Sequence, residues 1–416
     1  MAFNYEEKFL FIEDVSVRDL AKKIGTPFYC YSKRSLVDNF NKFRTAFPKA
    51  DVCYAIKANA NIAILKILAA AGAGADVVSG GELFLALKCG IPGSKIVFSG
   101  VGKTAKDIAL AIQNEIKQIN IESEDELNTV NQTAMRLCMR ANIAIRVNPD
   151  VDAHTHKKIT TGTSENKFGI AWPEAFELYK KASEMSGVRV RGIAMHIGSQ
   201  ILSLKPFEQA FKKLAAMIDK LEKEDIILQN IDIGGGIGVV YNYKKDKPIH
   251  AKDFAVVVNK YLGRFKKHII LEPGRKIVAN AGVLVASVLY NKKGEKKDFL
   301  IIDAGMNDFA RPALYDAWHE ILPVRDWKRP IKKVDVVGPI CETSDTFAKD
   351  RPLPVLEPEE LVAIMGTGAY GASMGSTYNV RPLTAEVLVE GSKYRVIRKR
   401  ESYQEMIEDQ LDLLHK

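Results

Sequence analysis

Short apolar runs rich in β-forming residues alternate with amphipathic helical patterns between residues 52 and 271. There are eight such runs, at positions 52–56, 75–78, 95–98, 118–121, 143–147, 190–196, 230–233 and 268–271. The helical patterns between them cover 60–71, 81–89, 105–114, 124–139, 173–185, 205–223 and 251–265. Eight strands with intervening helices predict an α/β fold, a closed (β/α)8 TIM-like barrel. A doubly wound open sheet remains the alternative, because one sequence does not reveal strand order.

The pattern changes after Gly282, where β-like runs follow one another with little helix between them. These runs cover 283–290, 299–303, 333–337, 361–366, 384–390 and 393–398. They predict a second, mainly β domain that resembles a sandwich or barrel. Two early β-like runs, 9–15 and 28–31, can join it. We therefore expect a barrel domain at 35–281 and a β domain formed by 1–34 and 282–416.

Composition narrows the class of protein. With 416 residues the chain is long for one core, which favours two domains. The net charge of +9 comes from lysines mixed with acids along the chain, so a solvated surface is favoured over a nucleic-acid site. The N-terminus lacks a secretory pattern and no uncharged apolar run approaches a membrane span, so we expect a cytoplasmic protein.

The five cysteines are scattered and show no Cys-x-x-Cys spacing. Of the histidines, only His154 and His156 lie close together. A disulfide framework and a structural metal site are therefore not expected. The odd number of cysteines leaves room for one functional thiol.

Chemically active side chains follow the ends of several predicted strands. In a (β/α)8 barrel these ends meet at one mouth, where active sites are built. The groups at this mouth are a lysine, acids, a histidine, serines, three glycines and an arginine: Lys57, Asp76, Ser79, His196, Ser199, Gly234, Gly235, Gly236, Glu272 and Arg275.

Each of these groups has two interpretations when taken alone. Lys57 either lays its stem along an apolar surface or serves as a Schiff-base amine. The glycines at 234–236 either allow a turn or let backbone N–H groups approach a phosphate. A Schiff-base lysine with a phosphate site implies pyridoxal phosphate, whose pyridine nitrogen needs a carboxylate. Glu272 can supply it or pair with Arg275, and His196 is either a core histidine or a residue stacked on the cofactor ring.

Several segments resemble the barrel-type, alanine-racemase-like pyridoxal-phosphate-dependent amino acid decarboxylases. These are residues 54–59, 196–200, 234–236 and 272–275. Further segments resemble the diaminopimelate decarboxylase family within that group, namely 148–156 with 166–169, 338–345 and 368–371. The resemblance extends from about Thr26 to about Val396.

The resemblance implies a role for each matching residue. Lys57 would carry pyridoxal phosphate as a Schiff base, Asp76 would hydrogen-bond near it, and His196 would stack on the ring. Glu272 would pair with the pyridinium. Ser199, the glycines at 234–236, Gly274, Arg275 and Tyr370 would contact the cofactor, chiefly its phosphate. Cys341 would donate the proton after CO₂ leaves, unless it is an inert buried thiol. The substrate would be bound by Arg275, Arg311, Tyr315, Glu342 and Tyr370.

The resemblance also implies a substrate and an assembly. The substrate would be meso-2,6-diaminopimelate, decarboxylated to L-lysine in the last step of lysine biosynthesis. Its distal carboxylate and ammonium need a cation and an anion, which Arg275, Arg311 and Glu342 can provide. A homodimer with shared active sites is expected. The alternatives are decarboxylation of ornithine, arginine or carboxynorspermidine, a non-catalytic regulatory relative, and a racemase, which Glu272 disfavours.

Overall fold

The computed structural model describes residues 3–152 and 167–414. The chain divides into two compact units. The first, the β unit, comprises Met1–Asp38, Val240–Asp246 and Val278–Lys416. The second, the barrel unit, comprises Asn39–Val239 and Lys247–Ile277. No helix of the described residues is long and apolar enough to cross a membrane.

The N-terminal segment begins with a small antiparallel sheet of β1 (Phe3–Glu6), β2 (Phe9–Ile12) and β3 (Val15–Ser16). Helix α1 (Val17–Ile24) follows, and Ser16 caps it by accepting a hydrogen bond from the Asp19 N–H at 3.3 Å. Next come β4 (Phe28–Ser32), which is buried throughout, and α2 (Lys33–Ala46). Ser32 Oγ accepts the Ser35 N–H at 3.0 Å, so Ser32 also acts as a helix cap.

A closed parallel barrel forms the centre of the barrel unit. Among the described residues its eight strands are β5 (Asp51–Ala55), β6 (Gly74–Val77), β7 (Ile96–Phe98), β8 (Gln118–Ile121), β9 (Ala141–Asn148), β11 (Val188–Ala194), β12 (Asn230–Asp232) and β13 (His268–Leu271). A two-residue strand, β10 (Ile170–Ala171), pairs with β9. Pairing of β8 with β9 closes the ring. The predicted barrel is therefore confirmed, and the open-sheet alternative is excluded.

The helices that connect these strands are α3 (Ile62–Ala70), α4 (Gly80–Lys88), α5 (Ala105–Gln113), α6 (Glu124–Arg136), α7 (Trp172–Glu184), α8 (Lys205–Lys223) and α9 (Ala251–Leu262). Several begin at a side-chain cap that the sequence supplies. Ser79 and Ser123 accept the N–H groups of Glu82 and Glu126, and Thr104 forms a reciprocal capping box with Asp107. These caps fix where the chain turns from strand end to helix, which is where the candidate site lies.

The C-terminal part of the β unit begins with the short helix α10 (Arg275–Val278), whose first three residues belong to the barrel unit. It continues with β14 (Gly282–Lys293), β15 (Asp298–Ile302), α11 (Arg311–Tyr315), β16 (Ile321–Pro323), β17 (Ile331–Val337), β18 (Thr346–Pro354), β19 (Leu361–Met365), β20 (Ala385–Glu390), β21 (Lys393–Arg398) and α12 (Tyr403–Leu414). Strand β4 pairs with both β14 and β20. The prediction that N-terminal strands join the C-terminal β domain is therefore confirmed.

Candidate functional site

Lys57 lies immediately after the first barrel strand. Strand β5 ends at Ala55, and Ile56–Ala58 form one turn of 3₁₀-helix that carries the lysine. The segment lies against Gly274, where an added Cβ would come within 3.0 Å of the Cβ atoms of Ala55 and Ala58. The Lys57 ammonium donates a hydrogen bond to Asp76 Oδ2. A lysine that merely follows an apolar surface into solvent would not end on a fully buried carboxylate, so that interpretation is excluded.

Asp76 and Glu82 give this region two acidic groups. Asp76 comes from β6 and is completely buried, and its Oδ1 atom has no hydrogen-bond partner among the described residues. Glu82, on the first turn of α4, accepts the Val78 N–H at 2.8 Å. Burial raises the pKa of Glu82 to about 6, against the opposing effects of that hydrogen bond and of Lys57. Sequence reasoning did not select Glu82 as a site residue.

Glu272 follows β13 and is buried beside Asp232, the last residue of β12. Ser99 Oγ donates to Glu272 Oε1 at 3.2 Å. Burial raises the pKa of Glu272 well above its ordinary value, and the nearby charges of Asp232 and Asp76 raise it further. The alternative in which Glu272 forms a surface salt bridge with Arg275 is excluded, because both residues are buried and no such ion pair occurs among the described residues.

His196 lies two residues beyond β11, which ends at Ala194, so the predicted strand at 190–196 is two residues too long. The partly buried ring accepts a hydrogen bond from the Gly235 N–H at Nδ1, at 3.2 Å. Burial lowers the pKa of His196 well below its ordinary value, and Arg146 and Lys57 lower it further. The imidazole is therefore neutral with an accepting Nδ1, and the Gly235 N–H holds its orientation.

The glycines at 234–236 leave no room for side chains. A Cβ on Gly234, Gly235 or Gly236 would overlap the carbonyl oxygens of Met195, Glu272 and Gly198, respectively. Two of their N–H groups are used inside the protein, since Gly234 donates to Asp232 Oδ1 at 3.0 Å and Gly235 donates to His196. The Gly236 N–H has no acceptor among the described residues and remains available to an anion.

Ser199 and Arg275, predicted from separate strand ends, are in contact. Arg275 Nη2 donates to Ser199 Oγ at 3.0 Å, and Arg275 is buried. A buried guanidinium beside a hydroxyl forms a strong site for a phosphate or a carboxylate.

The β unit contributes a second group of candidate residues. Arg311 begins α11 and is buried, with its guanidinium 5.5 Å from the ring centre of Tyr241 and 5.8 Å from that of Tyr315. Arg311 and Tyr315 lie four residues apart, on one face of the helix. Tyr241, which the sequence did not indicate, belongs to the Val240–Asp246 segment of the β unit.

A loop between β17 and β18 exposes Cys341 and Glu342. The buried Asp345 holds this loop by accepting the N–H groups of Ile340 and Met306, both at 2.7 Å. In the single chain the Cys341 thiol is exposed rather than buried.

Both carboxylate oxygens of Glu342 accept hydrogen bonds. Tyr378 OH donates to Oε1 at 2.6 Å and Ser344 Oγ donates to Oε2 at 3.0 Å. These bonds lower the pKa of Glu342. Tyr378, like Glu82 and Tyr241, is a residue that sequence reasoning missed. Tyr370 is half-buried in the turn after β19, with a φ of 54°.

Part of the segments 148–156 and 166–169, which carry the family resemblance, lies outside the described residues, including His154, His156 and Asn166. Within the described parts of the chain, no group of three or more His, Cys, Asp or Glu side chains could hold a metal ion.

The barrel unit fits the cofactor that the sequence implies. Asp76, Asp232 and Glu272 bring three buried carboxyl groups close enough to influence one another, with Lys57 as the nearby cation. The protonated pyridine nitrogen of pyridoxal phosphate supplies the positive partner that such a cluster favours. The available Gly236 N–H and the Ser199–Arg275 pair offer donors for its phosphate. The residues present therefore suit this group.

Comparisons with known proteins agree with this chemistry. Residues 33–279 match the family described as pyridoxal-dependent decarboxylase, pyridoxal binding domain. The chain is 46% identical over 409 residues to the diaminopimelate decarboxylase of Aquifex aeolicus, across 98% of this chain and 97% of that protein. It is also 46% identical over 407 residues to the diaminopimelate decarboxylase of Vibrio cholerae, across 96% of each.

A solved structure shows the same fold over nearly the whole length. The crystal structure of diaminopimelate decarboxylase from Helicobacter pylori complexed with L-lysine has a TM-score of 0.92 and 44% identity, and it covers 95% of this chain and 99% of that one. The family match, the full-length identity and the shared fold agree. The chain therefore belongs to the diaminopimelate decarboxylase family of pyridoxal-dependent decarboxylases.

Proposed function

We propose that this chain decarboxylates meso-2,6-diaminopimelate to L-lysine and CO₂, the last step of lysine biosynthesis. The observation that carries the proposal is identity of 42% to 46% to diaminopimelate decarboxylases over 96% to 98% of the chain. The fold neighbour from Helicobacter pylori was crystallised with L-lysine, the product of this reaction.

The barrel residues bind the cofactor and control its protons. Pyridoxal phosphate, when bound, supplies an electron sink for the electron pair that remains after CO₂ leaves. Lys57 holds the cofactor covalently, and Asp76 orients the Lys57 amine through their hydrogen bond. Glu272 keeps a proton at the ring nitrogen. The neutral His196, in the orientation that the Gly235 N–H fixes, would lie against the ring of the bound cofactor.

The phosphate is assigned to donors around the last two strands of the barrel. The residues assigned to it are Ser199, Gly234, Gly235, Gly236, Gly274 and Tyr370. The three consecutive glycines let the anion approach backbone N–H groups, of which Gly236 has the available donor. Arg275 contacts Ser199, so it borders both phosphate and substrate.

The distal end of the substrate is assigned to charged side chains. Arg275 and Arg311 bind its carboxylate, with Tyr315 and Tyr370 beside them. Glu342 is held as a carboxylate by Tyr378 and Ser344, which suits it to bind the distal ammonium. Cys341, adjacent to Glu342, donates a proton to the carbon that CO₂ leaves.

A homodimer with shared sites and a cytoplasmic location complete the proposal. Cys341 and Glu342 are exposed in the single chain, as expected of residues that enter a partner's site. Mixing two inactive variants, Lys57→Ala and Cys341→Ala, tests this assembly. Restored activity on mixing supports shared sites. If the mixture stays inactive although the subunits exchange, each chain holds a complete site and the shared-site assembly is wrong.

The reaction is tested by CO₂ release from cofactor-loaded protein. The protein is incubated separately with meso-diaminopimelate, ornithine, arginine, lysine and carboxynorspermidine, with Lys57→Ala as the inactive control. Release from diaminopimelate alone, with lysine as product, supports the proposal. Release from another substrate instead assigns the chain to a different decarboxylase. Absence of CO₂ from all of them, with the cofactor covalently bound, supports a racemase or a regulatory relative.

A further inference from the structure

Polar side chains line the inside of the barrel, where apolar side chains are expected. Gln118 and Asn120 on β8 are buried, and so is Asp232 on β12. Gln118 Nε2 donates to Asn120 Oδ1 at 2.9 Å, and Asn230 Nδ2 donates to Gln118 Oε1 at 3.1 Å. Because β8 and β12 are not neighbours in the barrel, these contacts cross its interior. We call Gln118, Asn120, Asn230 and Asp232 the polar layer.

The polar layer leads to Asp232 and Glu272. Asn120 Nδ2 donates to Asp232 Oδ2 at 3.1 Å, and the Gly234 N–H donates to Asp232 Oδ1. Asn120 Nδ2 also donates to Ser99 Oγ at 3.0 Å, which in turn donates to Glu272 Oε1. All these donors are neutral, and Asp232 forms no ion pair among the described residues. The Asp232 and Glu272 carboxyl groups also lie close enough for each to shift the pKa of the other.

Two adjacent buried carboxyl groups cannot both be ionised without a large cost, so one of them keeps a proton. Three neutral donors, from Gln118, Asn120 and the Gly234 N–H, already satisfy Asp232 as an acceptor. Among the described residues, the Glu272 carboxyl group receives a hydrogen bond from Ser99 alone. The charged and titratable groups facing the pair are Asp76, Lys57 and the buried thiol of Cys53. The proton therefore resides on Glu272, which donates it to the Asp232 carboxylate.

We propose that Asp232 is a positioning residue that acts through Glu272: it accepts the Glu272 hydroxyl and so keeps a proton ready for the ring nitrogen of the cofactor. When the ring nitrogen meets Glu272, the O–H bond breaks and an N–H bond forms, and no electrons are lost or gained. Both carboxylates are then negative, which favours the protonated ring nitrogen. This inference rests on the proposed function only in that Glu272 meets the cofactor.

The first test uses cofactor-free protein and infrared spectroscopy. At pH 8, Glu82 and Asp308, whose pKa values are raised to about 6, are ionised. We expect wild type to show the C=O stretch of a protonated carboxyl, and Glu272→Gln to lack it. Asp232→Asn should lose this signal at a lower pH than wild type, because the anion that adds to the effect of burial on Glu272 is gone. The signal's absence from wild type, or an unchanged pH dependence of the signal in Asp232→Asn, would overturn the proposal.

The matched control is Asn230→Leu, which disturbs the polar layer without contacting either carboxyl group. Asn230→Leu should keep the infrared signal of wild type. If the polar layer had only a structural role, Asn230→Leu and Asp232→Asn would change the signal alike. If Asp232→Asn does not fold, absence of the signal from wild type or its presence in Glu272→Gln still overturns the proposal, because the proton would then not reside on Glu272. These infrared measurements involve no substrate. Their result is therefore the same whether or not the protein decarboxylates diaminopimelate.

The second test uses the loaded enzyme. Asp232→Asn should lower the pH at which the absorbance of the bound cofactor changes by at least about one unit, and lower kcat about tenfold with KM nearly constant. Asn230→Leu should leave both quantities near wild type. An unchanged absorbance profile in folded Asp232→Asn would contradict the proposal.

Discussion

The Lys57 ammonium donates to Asp76 Oδ2, and the Asp76 side chain is completely buried while that of Lys57 is 36% exposed. The two partners therefore differ in what they lose when the pair is broken. An isolated Lys57 can still reach solvent, but an isolated Asp76 carboxylate cannot. This asymmetry affects the stability of the protein before any cofactor is bound.

The asymmetry predicts unequal effects of removing either partner from the cofactor-free protein. Lys57→Met should destabilise it by about 3 kcal/mol above neutral pH, since it leaves a buried carboxylate without its cation. Asp76→Asn should cost less, and the double variant should recover most of the Lys57→Met loss. Urea unfolding of the four proteins measures the coupling. Additive losses in the double variant would show that the pair contributes no specific stabilisation.

The hydrogen bond from Tyr378 to Glu342 predicts an effect on substrate binding. Tyr378→Phe removes one of the two donors that hold the Glu342 carboxylate. If Glu342 binds the distal ammonium, KM for diaminopimelate should rise about tenfold while kcat changes little. Steady-state kinetics test this, with Tyr403→Phe on the exposed face of α12 as the control. A change in kcat alone would show that Tyr378 does not contribute to substrate binding.

The close approach of Gly235 to Glu272 predicts a steric effect. Gly235→Ala would place a Cβ against the Glu272 carbonyl oxygen and disturb the hydrogen bond to His196. We expect a loss of about 1 to 3 kcal/mol in unfolding free energy and weaker binding of pyridoxal phosphate. Gly102→Ala is the matched control, because a Cβ there meets nothing within 4 Å. Equal losses in both variants would argue against a specific contact.

The barrel was largely predictable because each strand is a short apolar run between amphipathic helices. The predicted strands at 118–121 and 268–271 and the helix at 205–223 match the structure residue for residue. Several elements of the β unit were missed, among them β18 and α12. Strand β18 contains two prolines and several charged residues, which an edge strand tolerates. Helix α12 buries none of its described residues, although Tyr403, Ile407, Leu411 and Leu414 recur at helical spacing.

The site was predictable where one unusual residue follows a strand, as for Lys57 and Glu272. It was not predictable where residues act together across the barrel. Gln118 and Asn120, like Asn230 and Asp232, alternate on one face of a strand, which signals polar residues pointing inward. That signal was available but does not show which strands face each other. Tyr378 lies 36 residues from Glu342 along the chain, so only folding reveals their contact.

Asp51 lies at the start of β5, and its contacts predict that the stability of the protein falls at acidic pH. His268 Nε2 lies 2.9 Å and Lys117 Nζ 2.7 Å from Asp51 Oδ2. Burial alone would raise the pKa of Asp51, but the hydrogen bonds from these two partners outweigh it and lower the pKa to about 2. A carboxyl group with a lowered folded pKa stabilises the protein above its unfolded pKa of about 3.9 and loses that contribution as pH falls.

The Asp51 contribution is about 2 kcal/mol at neutral pH and disappears between about pH 4 and pH 2. The unfolding free energies of wild type and Asp51→Asn should therefore differ by this amount at pH 6 and converge as the pH approaches 2. Urea unfolding across this range measures the difference. Glu177→Gln, which removes an exposed carboxylate near Lys180, should show little difference at any pH, because exposed pairs stabilise weakly. A gap between wild type and Asp51→Asn that stays constant from pH 6 to pH 2.5 would mean that packing, rather than charge, makes Asp51 stabilising.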